Sequence, residues 1–509
     1  MASPVTYLLC ACGIVALVLL RQRNKSSLPL PPGPPADPII GHLRIFSPAR
    51  QHELFPKWAA EYGDIFHLGI LGQNLIVMNS LQVATDLLEK RSSKHSDRPA
   101  CTTLELMGWE ASLPLLLYGP RWKKHRKMFQ QYFNYHECLA YYPSQLREAR
   151  VLAKSLMITP KDFLAHTQRF ALSSLIRITY GHQAHSDDDI YVNIIGEVLR
   201  SVEAATAGVA LIDLFPSLRY VPHWLPGMSS LTAMSRRWHP TIRHFHNWTF
   251  DDVLRQMDAG IAQPSFLASH LERLDLAGTS SEDLEDIKGS AASILIGMLS
   301  SLTWSLIQTL FFAMLVFPGA QHKAQEEIDK VIGCERLPDF SDRDSLPFVE
   351  CVLQEILRWH PVLPWGVPHR SLDDDVYNGM FIPKGSVMIP NVLAMSHDQQ
   401  IYKNPEIFCP ERFLPVPAGH GEPHLDVAFG FGRRRICPGR YFADNNAWLV
   451  LVTVLATLNI SKVVGQDGRV VEPKVEFTTE SQVSRPRPFD CVFQPRSEAA
   501  KALILQQSE

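Results

Sequence analysis

From Ile294 to Leu315 the sequence is apolar on nearly every face that a helix could present. A helix buried on one side carries an apolar stripe, whereas one that is apolar all round has to be enclosed on every side. The run lies inside the longest candidate helix, which starts at Glu282-Asp283, passes through Gly289 and reaches Phe317 before Pro318-Gly319 ends it. Two surroundings could enclose it: the core of a large helical protein, or a lipid bilayer, since the run approaches the ~20 residues of a membrane span. Ser300, Ser301, Thr303, Ser305 and Gln308 within the helix, and the lack of a basic flank at its end, favour a core helix.

The rest of the chain suits such a core. Helical periodicity dominates from about residue 50 onward, and a further helix is predicted from Ser345 to Trp359, stopped by His360-Pro361. Short strand-like pieces follow, with a turn at Val376-Tyr377-Asn378-Gly379 and a strand from Ser386 to Ile389. With 46% apolar residues, 20% charged residues and a net charge of −3, the chain reads as globular and near-neutral. Nothing in that balance points to nucleic acid, which would call for a dominant basic face. The nine cysteines are an odd number with no CxxC pair, which points away from a disulfide framework and towards a reducing, cytosol-facing compartment.

Residues 1–27 read as a retained single-pass membrane anchor with its basic flank: Val5 to Leu20 is nearly all apolar, and Arg21, Arg23 and Lys25 follow it. A cleaved signal peptide, the alternative, normally carries its charge before the apolar run. The positive-inside rule then leaves the body in the cytosol. Residues 28–36 contain Leu28-Pro29-Leu30-Pro31-Pro32-Gly33-Pro34-Pro35, a stiff extended spacer between anchor and body. Residues 37–497 form the body, and residues 498–509 a tail.

The chemistry-bearing segment is Phe429-Gly430-Phe431-Gly432-Arg433-Arg434-Arg435-Ile436-Cys437-Pro438-Gly439, with a helix predicted just after Cys437. Glycines let backbone approach a flat ligand, arginines pair with carboxylates, and a helix N-terminus favours a thiolate. Alone, the segment also reads as a glycine-rich turn with a buried cysteine. Three other motifs accompany it. Glu355-Ile356-Leu357-Arg358 sets an acid and an arginine three apart on one helix face. Pro410-Glu411-Arg412-Phe413 follows the Asn404-Pro405 turn, and Trp122 and Arg126 lie four apart on an upstream helix.

In order and spacing these motifs resemble the cytochrome P450 family over about residues 28–495. The segments around Asp375-Val376-Tyr377-Asn378-Gly379 and Gly439-Arg440-Tyr441-Phe442-Ala443-Asp444 look most like fungal members acting in secondary metabolism. The resemblance implies a mainly α fold: a triangular helical domain with a small β-rich lobe and an N-terminal transmembrane anchor. It implies a haem whose iron is held by Cys437, an ion-pair network of Glu355, Arg358 and Arg412, and haem-propionate partners at Arg98, Trp122, Arg126, His369 and Arg435, with Arg434 as the substitute for Arg435. It further implies an endoplasmic-reticulum enzyme facing the cytosol.

The chain departs from the family pattern twice. One extra arginine stands between Gly432 and Cys437, so the surplus residue has to bulge near the glycines. In the long helix, Met298-Leu299-Ser300-Ser301-Leu302-Thr303 stands over the family's oxygen-binding segment. Ser301 replaces its acid and Leu302 its threonine. Thr303 is retained but lies about 100° further round the helix. Thr303 and Ser301 are the remaining side-chain candidates for proton delivery, which requires a placed donor, and a substrate hydroxyl or an ordered water is the alternative to them.

Three functions follow. The first is a monooxygenase that hydroxylates an apolar small molecule such as a terpenoid, using O₂ and electrons from NADPH through a cytochrome P450 reductase. The second is a haem-thiolate isomerase, dehydratase or peroxide-using enzyme, which does not need the missing pair. The third is an inactive haem-binding relative. No flavin or nicotinamide motif follows residue 440, so a separate reductase is implied. Arg433, Arg434, Lys123, Lys124 and Lys127 read either as its docking face or as a solvated charge cluster. The segments Cys101–Ala111, Ala204–Leu214 and Leu363–Pro368 are apolar and are the expected pocket walls.

Overall fold

The structure is a computed structural model that describes residues 27–47, 50–184, 186, 188–206, 211–221, 232–274, 280–297, 300–432, 434–478 and 482–506, without the side chains of residues 206, 211, 296, 297, 300 and 301. Of the expected membrane anchor and flank at residues 1–27, residues 1–26 lie outside the described residues. No single helix among the described residues is long and apolar enough to cross a membrane.

The β-rich lobe is built on the hairpin of β1 (Ile65–Ile70) and β2 (Gln73–Met78). Its two-residue turn puts Leu71 and Gly72 at φ of 49° and 89°, the left-handed backbone that matches strand twist in a tight hairpin. Downstream come β3 (His369–Arg370), the hairpin of β4 (Asp375–Tyr377) and β5 (Met380–Ile382), and β6 (Val387–Pro390). The sheet order is β1-β2-β6-β3, with β2 and β6 parallel and the other pairs antiparallel. The turn predicted at residues 376–379 joins β4 to β5, with Asn378 and Gly379 both at positive φ.

The proline segment is docked on the β-rich lobe. The Pro32 carbonyl accepts from His67 N–H at 2.8 Å, the Pro29 carbonyl from Phe381 N–H at 2.7 Å, and His42 Nε2 bonds the Pro34 carbonyl at 2.7 Å. Proline keeps its carbonyl as an acceptor, so a run that cannot join a ladder as donor still binds to one.

The helical body contains α1 (Pro120–Phe133), α2 (Phe163–Tyr180), α3 (Ala233–Asp258), α4 (Ser281–Gly297), α5 (Ser300–Val316), α6 (Pro318–Val331), α7 (Pro347–Trp359), α8 (Arg440–Thr457) and α9 (Glu498–Gln506). Over the long helix predicted from residue 282 to 317, the described residues are helical in α4 and α5, and residues 298 and 299 between them lie outside the described residues. Enclosure of its apolar run is observed: Ile307, Leu310, Phe311, Phe312, Ala313, Met314 and Leu315 are all buried, in one cluster with α2, α7 and α8. At Pro318 the chain turns by 101° into α6. By composition α5 and α6 together could make a bent span, but Gln321 and Gln325 of α6 bond the carbonyls of Ile460 and Leu458 inside the protein. The tail is also structured, with Ala500 and Ile504 of α9 buried.

Candidate functional site

The Cys437 loop is closed by its own backbone. Cys437 N–H donates to the Phe429 carbonyl at 3.0 Å, and the Gly432 carbonyl accepts from Arg435 and Ile436 N–H at 3.2 and 2.9 Å. Gly430 and Gly432 have φ of 88° and 73°. At Gly432 the need for glycine is steric as well, because a Cβ there would stand 2.5 Å from the Leu88 carbonyl oxygen. Arg433 lies outside the described residues, so the position of the surplus residue is not assigned.

Cys437 comes just before α8, whose N-cap is Gly439. Burial pushes its thiol pKa up, while the Gly439 N–H and the guanidiniums of Arg126 and Arg440 pull against that shift. The residue nonetheless keeps part of its surface accessible. It is deep in the protein but opens onto a cavity of about 300 Å³.

That cavity gathers the expected cofactor contacts. Arg98, Trp122, Arg126, His369, Arg434 and Arg435 all line it together with Cys437, and no Asp or Glu is among the described residues of its wall. Arg98 donates to the Val367 and Pro368 carbonyls at 2.7 Å each, and its buried Nε has no partner. Arg435 donates to the Ser96 and Leu116 carbonyls at 2.7 and 2.9 Å, with its guanidinium 4.8 Å from the Trp122 ring centroid. Arg126 donates to the Ile436 carbonyl at 2.7 Å. Carbonyls orient these cations without neutralising them. Burial lowers the pKa of Arg98, with repulsion from Arg435 adding to it, and burial brings Arg435 down to about 10.

His369 completes the set. Its Nδ1 stands 2.8 Å from the His95 carbonyl, which can only accept, so Nδ1 carries the proton. Nε2 could then donate to a carboxylate only when the ring is charged. Burial holds the ring neutral, with Arg98 and Arg435 adding to that, and an anion in the cavity would work in the opposite sense. Buried cations with no carboxylate on the described cavity wall, one orphaned N–H and a thiol at a helix start fit a flat, dicarboxylate, metal-bearing cofactor.

The predicted ion-pair network is formed. Glu355, Arg358 and Arg412 have no exposed side-chain surface. Arg358 grips Glu355 through Nε and an Nη at 2.7 and 2.8 Å, and Arg412 Nε stands 3.0 Å from both Glu355 oxygens. Sequence reasoning missed the fourth member, Glu422, which pairs with Arg412 and balances the charges. Burial works against its ionisation, yet Arg412 and the Lys403 N–H hold the carboxyl below its usual value. No local signal marks it, because it lies on an irregular loop.

Of the two predicted proton donors, only the Thr303 side chain is among the described residues. Leu302 lines the cavity; Thr303 is buried in α5 and is not among the residues of the wall, as expected one position round a helix. The Ser301 side chain lies outside the described residues. The basic cluster is also smaller than predicted, since Lys124 bonds Asp283 and Asp286. All three expected wall segments do contribute: Leu104, Trp109 and Leu363 line the inner cavity, and Ala205, Asp213 and Pro368 an adjoining one of about 470 Å³. Sequence reasoning also missed Ser112 and Ser293 of the inner wall.

A helical body that closes an apolar cavity on one cysteine and a ring of unneutralised guanidiniums defines a cofactor-binding protein for a buried polyanion. Residues 31–486 match the sequence model of the family described as Cytochrome P450. Among curated proteins, the chain is 36% identical to Cytochrome P450 monooxygenase ARMGADRAFT_974139 of Armillaria gallica, over 97% of both chains. It is 37% identical to Cytochrome P450 monooxygenase claR of Ampulloclitocybe clavipes, over 99% of this chain and 94% of that one. It is 35% identical to Cytochrome P450 monooxygenase ple1 of Rhodocybe pseudopiperita, over 99% and 96%. The chain belongs to the cytochrome P450 family, whose cofactor is haem with a thiolate-bound iron. It is an oxidoreductase of the monooxygenase kind.

Proposed function

We propose that Cys437 is the iron ligand, that Arg98, Trp122, Arg126, His369 and Arg435 hold the haem carboxylates, and that the enzyme hydroxylates an apolar small molecule, a terpenoid or similar secondary metabolite. The haem supplies the site for O₂ reduction, and NADPH supplies electrons through a cytochrome P450 reductase. The observation that carries this reading is the shared wall: the one cysteine and the unneutralised arginines face a single cavity that is otherwise largely apolar. Burial favours an apolar ligand there, and the guanidiniums orient and neutralise the carboxylates at the rim. Arg434, 4.9 Å from the Tyr118 ring, with Lys123, 5.8 Å from the same ring, would present a basic face to the reductase. The basic flank after the apolar run of residues 5–20 supports anchorage in the endoplasmic reticulum with the body in the cytosol.

One observation favours a second reading. Leu302 on the cavity wall can neither donate nor hold a proton, which suits an isomerase, dehydratase or peroxide-using activity. Reconstitution with a reductase, NADPH and labelled O₂ separates the two. Label in the product, dependent on NADPH, is expected. Turnover without NADPH and without label from O₂ would support the second reading instead.

A further inference from the structure

The inner cavity wall contains a pair of buried hydroxyls whose protons can be assigned from chemistry. Ser293 Oγ, on α4, is 2.6 Å from the Gly289 carbonyl, 3.0 Å from Ser112 Oγ and 3.2 Å from Leu113 N. A hydroxyl has one proton and two acceptor positions. The Gly289 carbonyl can only accept, so the Ser293 proton goes there. Leu113 N–H can only donate, so it fills one Ser293 lone pair. The Ser112 proton fills the other. Ser293 is then saturated, while the Ser112 oxygen has given its only proton away and keeps both lone pairs. No described residue donates to them.

The arrangement is pressed together by the fold. A Cβ at Gly289 would stand 2.4 Å from Ala111 Cβ and 2.7 Å from the Ala111 carbonyl oxygen, so glycine lets the loop carrying Ser112 lie against the helix. In the adjoining cavity, Asp213 accepts from Thr103 N–H and Oγ1, and Arg370 pairs with Asp97. Ser112, 4% exposed on a wall that is otherwise largely apolar, is therefore an acceptor to which no described residue donates. A buried acceptor of this kind is costly unless something donates to it.

We infer that the enzyme's substrate is already oxygenated: an apolar skeleton carrying a free hydroxyl, which donates to Ser112 Oγ and so fixes which face of the skeleton meets the site above Cys437. The inference rests on the monooxygenase reading and narrows its substrate class. A ketone, an ether or a bare hydrocarbon has no proton to give and gains nothing from Ser112. The preceding reaction is then one that installs a hydroxyl on a hydrocarbon framework, and this enzyme acts after it.

The test uses three probes of one shape, 1-adamantanol, 2-adamantanone and adamantane, on the haem-loaded full chain and its Ser112→Ala variant. Dissociation constants come from the ligand-induced change in haem absorption, and a readout independent of the haem comes from the ligand-induced rise in melting temperature. Ser112→Ala is expected to weaken the alcohol about fivefold, the worth of one net hydrogen bond, and to leave the ketone and hydrocarbon unchanged. Equal weakening of alcohol and ketone would overturn the proton assignment, and an unchanged alcohol would overturn the inference. A second variant, Ser293→Ala, frees the Ser112 proton and is expected to raise ketone affinity. No rise would count against the pairing. Selective binding without NADPH-dependent turnover would sink the monooxygenase reading and leave the subsite standing.

Discussion

Glu355 accepts hydrogen bonds from two guanidiniums and from the Cys409 N–H, at 2.8 Å for the last, with no water in reach of its side chain. Every other donor of the pair is also spoken for: Arg358 reaches the Ser396 and Pro405 carbonyls, and Arg412 reaches Lys403, Ile407 and Glu422. Complete pairing is what makes buried charge tolerable, and removing one partner leaves the others uncompensated, at about 3–5 kcal/mol. Glu355→Gln is therefore expected to lower unfolding stability by about that amount and to reduce the haem retained on purification. A differential denaturation curve and the haem-to-protein ratio check it. Arg358→Lys should not rescue, because an ammonium cannot grip a carboxylate with two parallel bonds while also reaching two carbonyls.

At the scale of elements, the Cys437 loop depends on backbone that only glycine adopts without strain. Gly432→Ala adds both a left-handed φ penalty and a contact at 2.5 Å with the Leu88 carbonyl. Slower thermal unfolding or unchanged haem affinity in that variant would speak against the clamp; loss of haem affinity with the helices intact by circular dichroism is expected. In α5 the missing polar pair is a matter of one helix position. Ser301→Asp combined with Leu302→Thr is expected to raise the fraction of NADPH consumption that ends in product, measured against hydrogen peroxide released. Much of this was legible in the sequence. The helix carrying Glu355 and Arg358 followed from periodicity and from Pro361 as a stop, and the β4–β5 turn followed from Asn378-Gly379. The apolar run at Ile294–Leu315 announced a buried helix, and the described part of that run is buried. Contacts across long sequence separations were not legible. Glu422 meets Arg412, Ser293 meets Ser112, and Asp286 ties down Lys124 only because the fold brings distant segments together.

For the whole molecule, the sheet contributes His369 from β3, the helices contribute Trp122, Arg126 and Leu302, and the loop before α8 contributes Cys437 to one cavity. A core this large also encloses histidines that cannot charge. Burial brings His246 and His360 down to about 3, with Arg243 adding to the effect at His246. A histidine whose folded pKa is lowered leaves stability untouched above its unfolded pKa. Below that pKa the unfolded chain takes a proton that the folded chain refuses, so stability falls with pH. Each such group costs about 1.4 kcal/mol per pH unit between roughly pH 6.5 and its folded pKa. His246→Phe keeps the edge-on contact with Trp109, whose ring centroid is 5.0 Å away, and is expected to flatten the fall in unfolding free energy between pH 6.5 and 5 by about that slope. An unchanged slope would mean that His246 takes up its proton in the folded state.

The assembly of one cysteine, a cationic rim and an apolar cavity stands or falls on the thiolate. The most direct measurement is the carbon-monoxide difference spectrum of the reduced, purified protein beside that of Cys437→Ala. The native chain is predicted to show the strongly red-shifted Soret band of a thiolate-ligated haem, and the variant to lose it while keeping its far-ultraviolet circular dichroism. A band at the position of a histidine-ligated haem in the native protein, or a red-shifted band that survives in Cys437→Ala, would contradict the account.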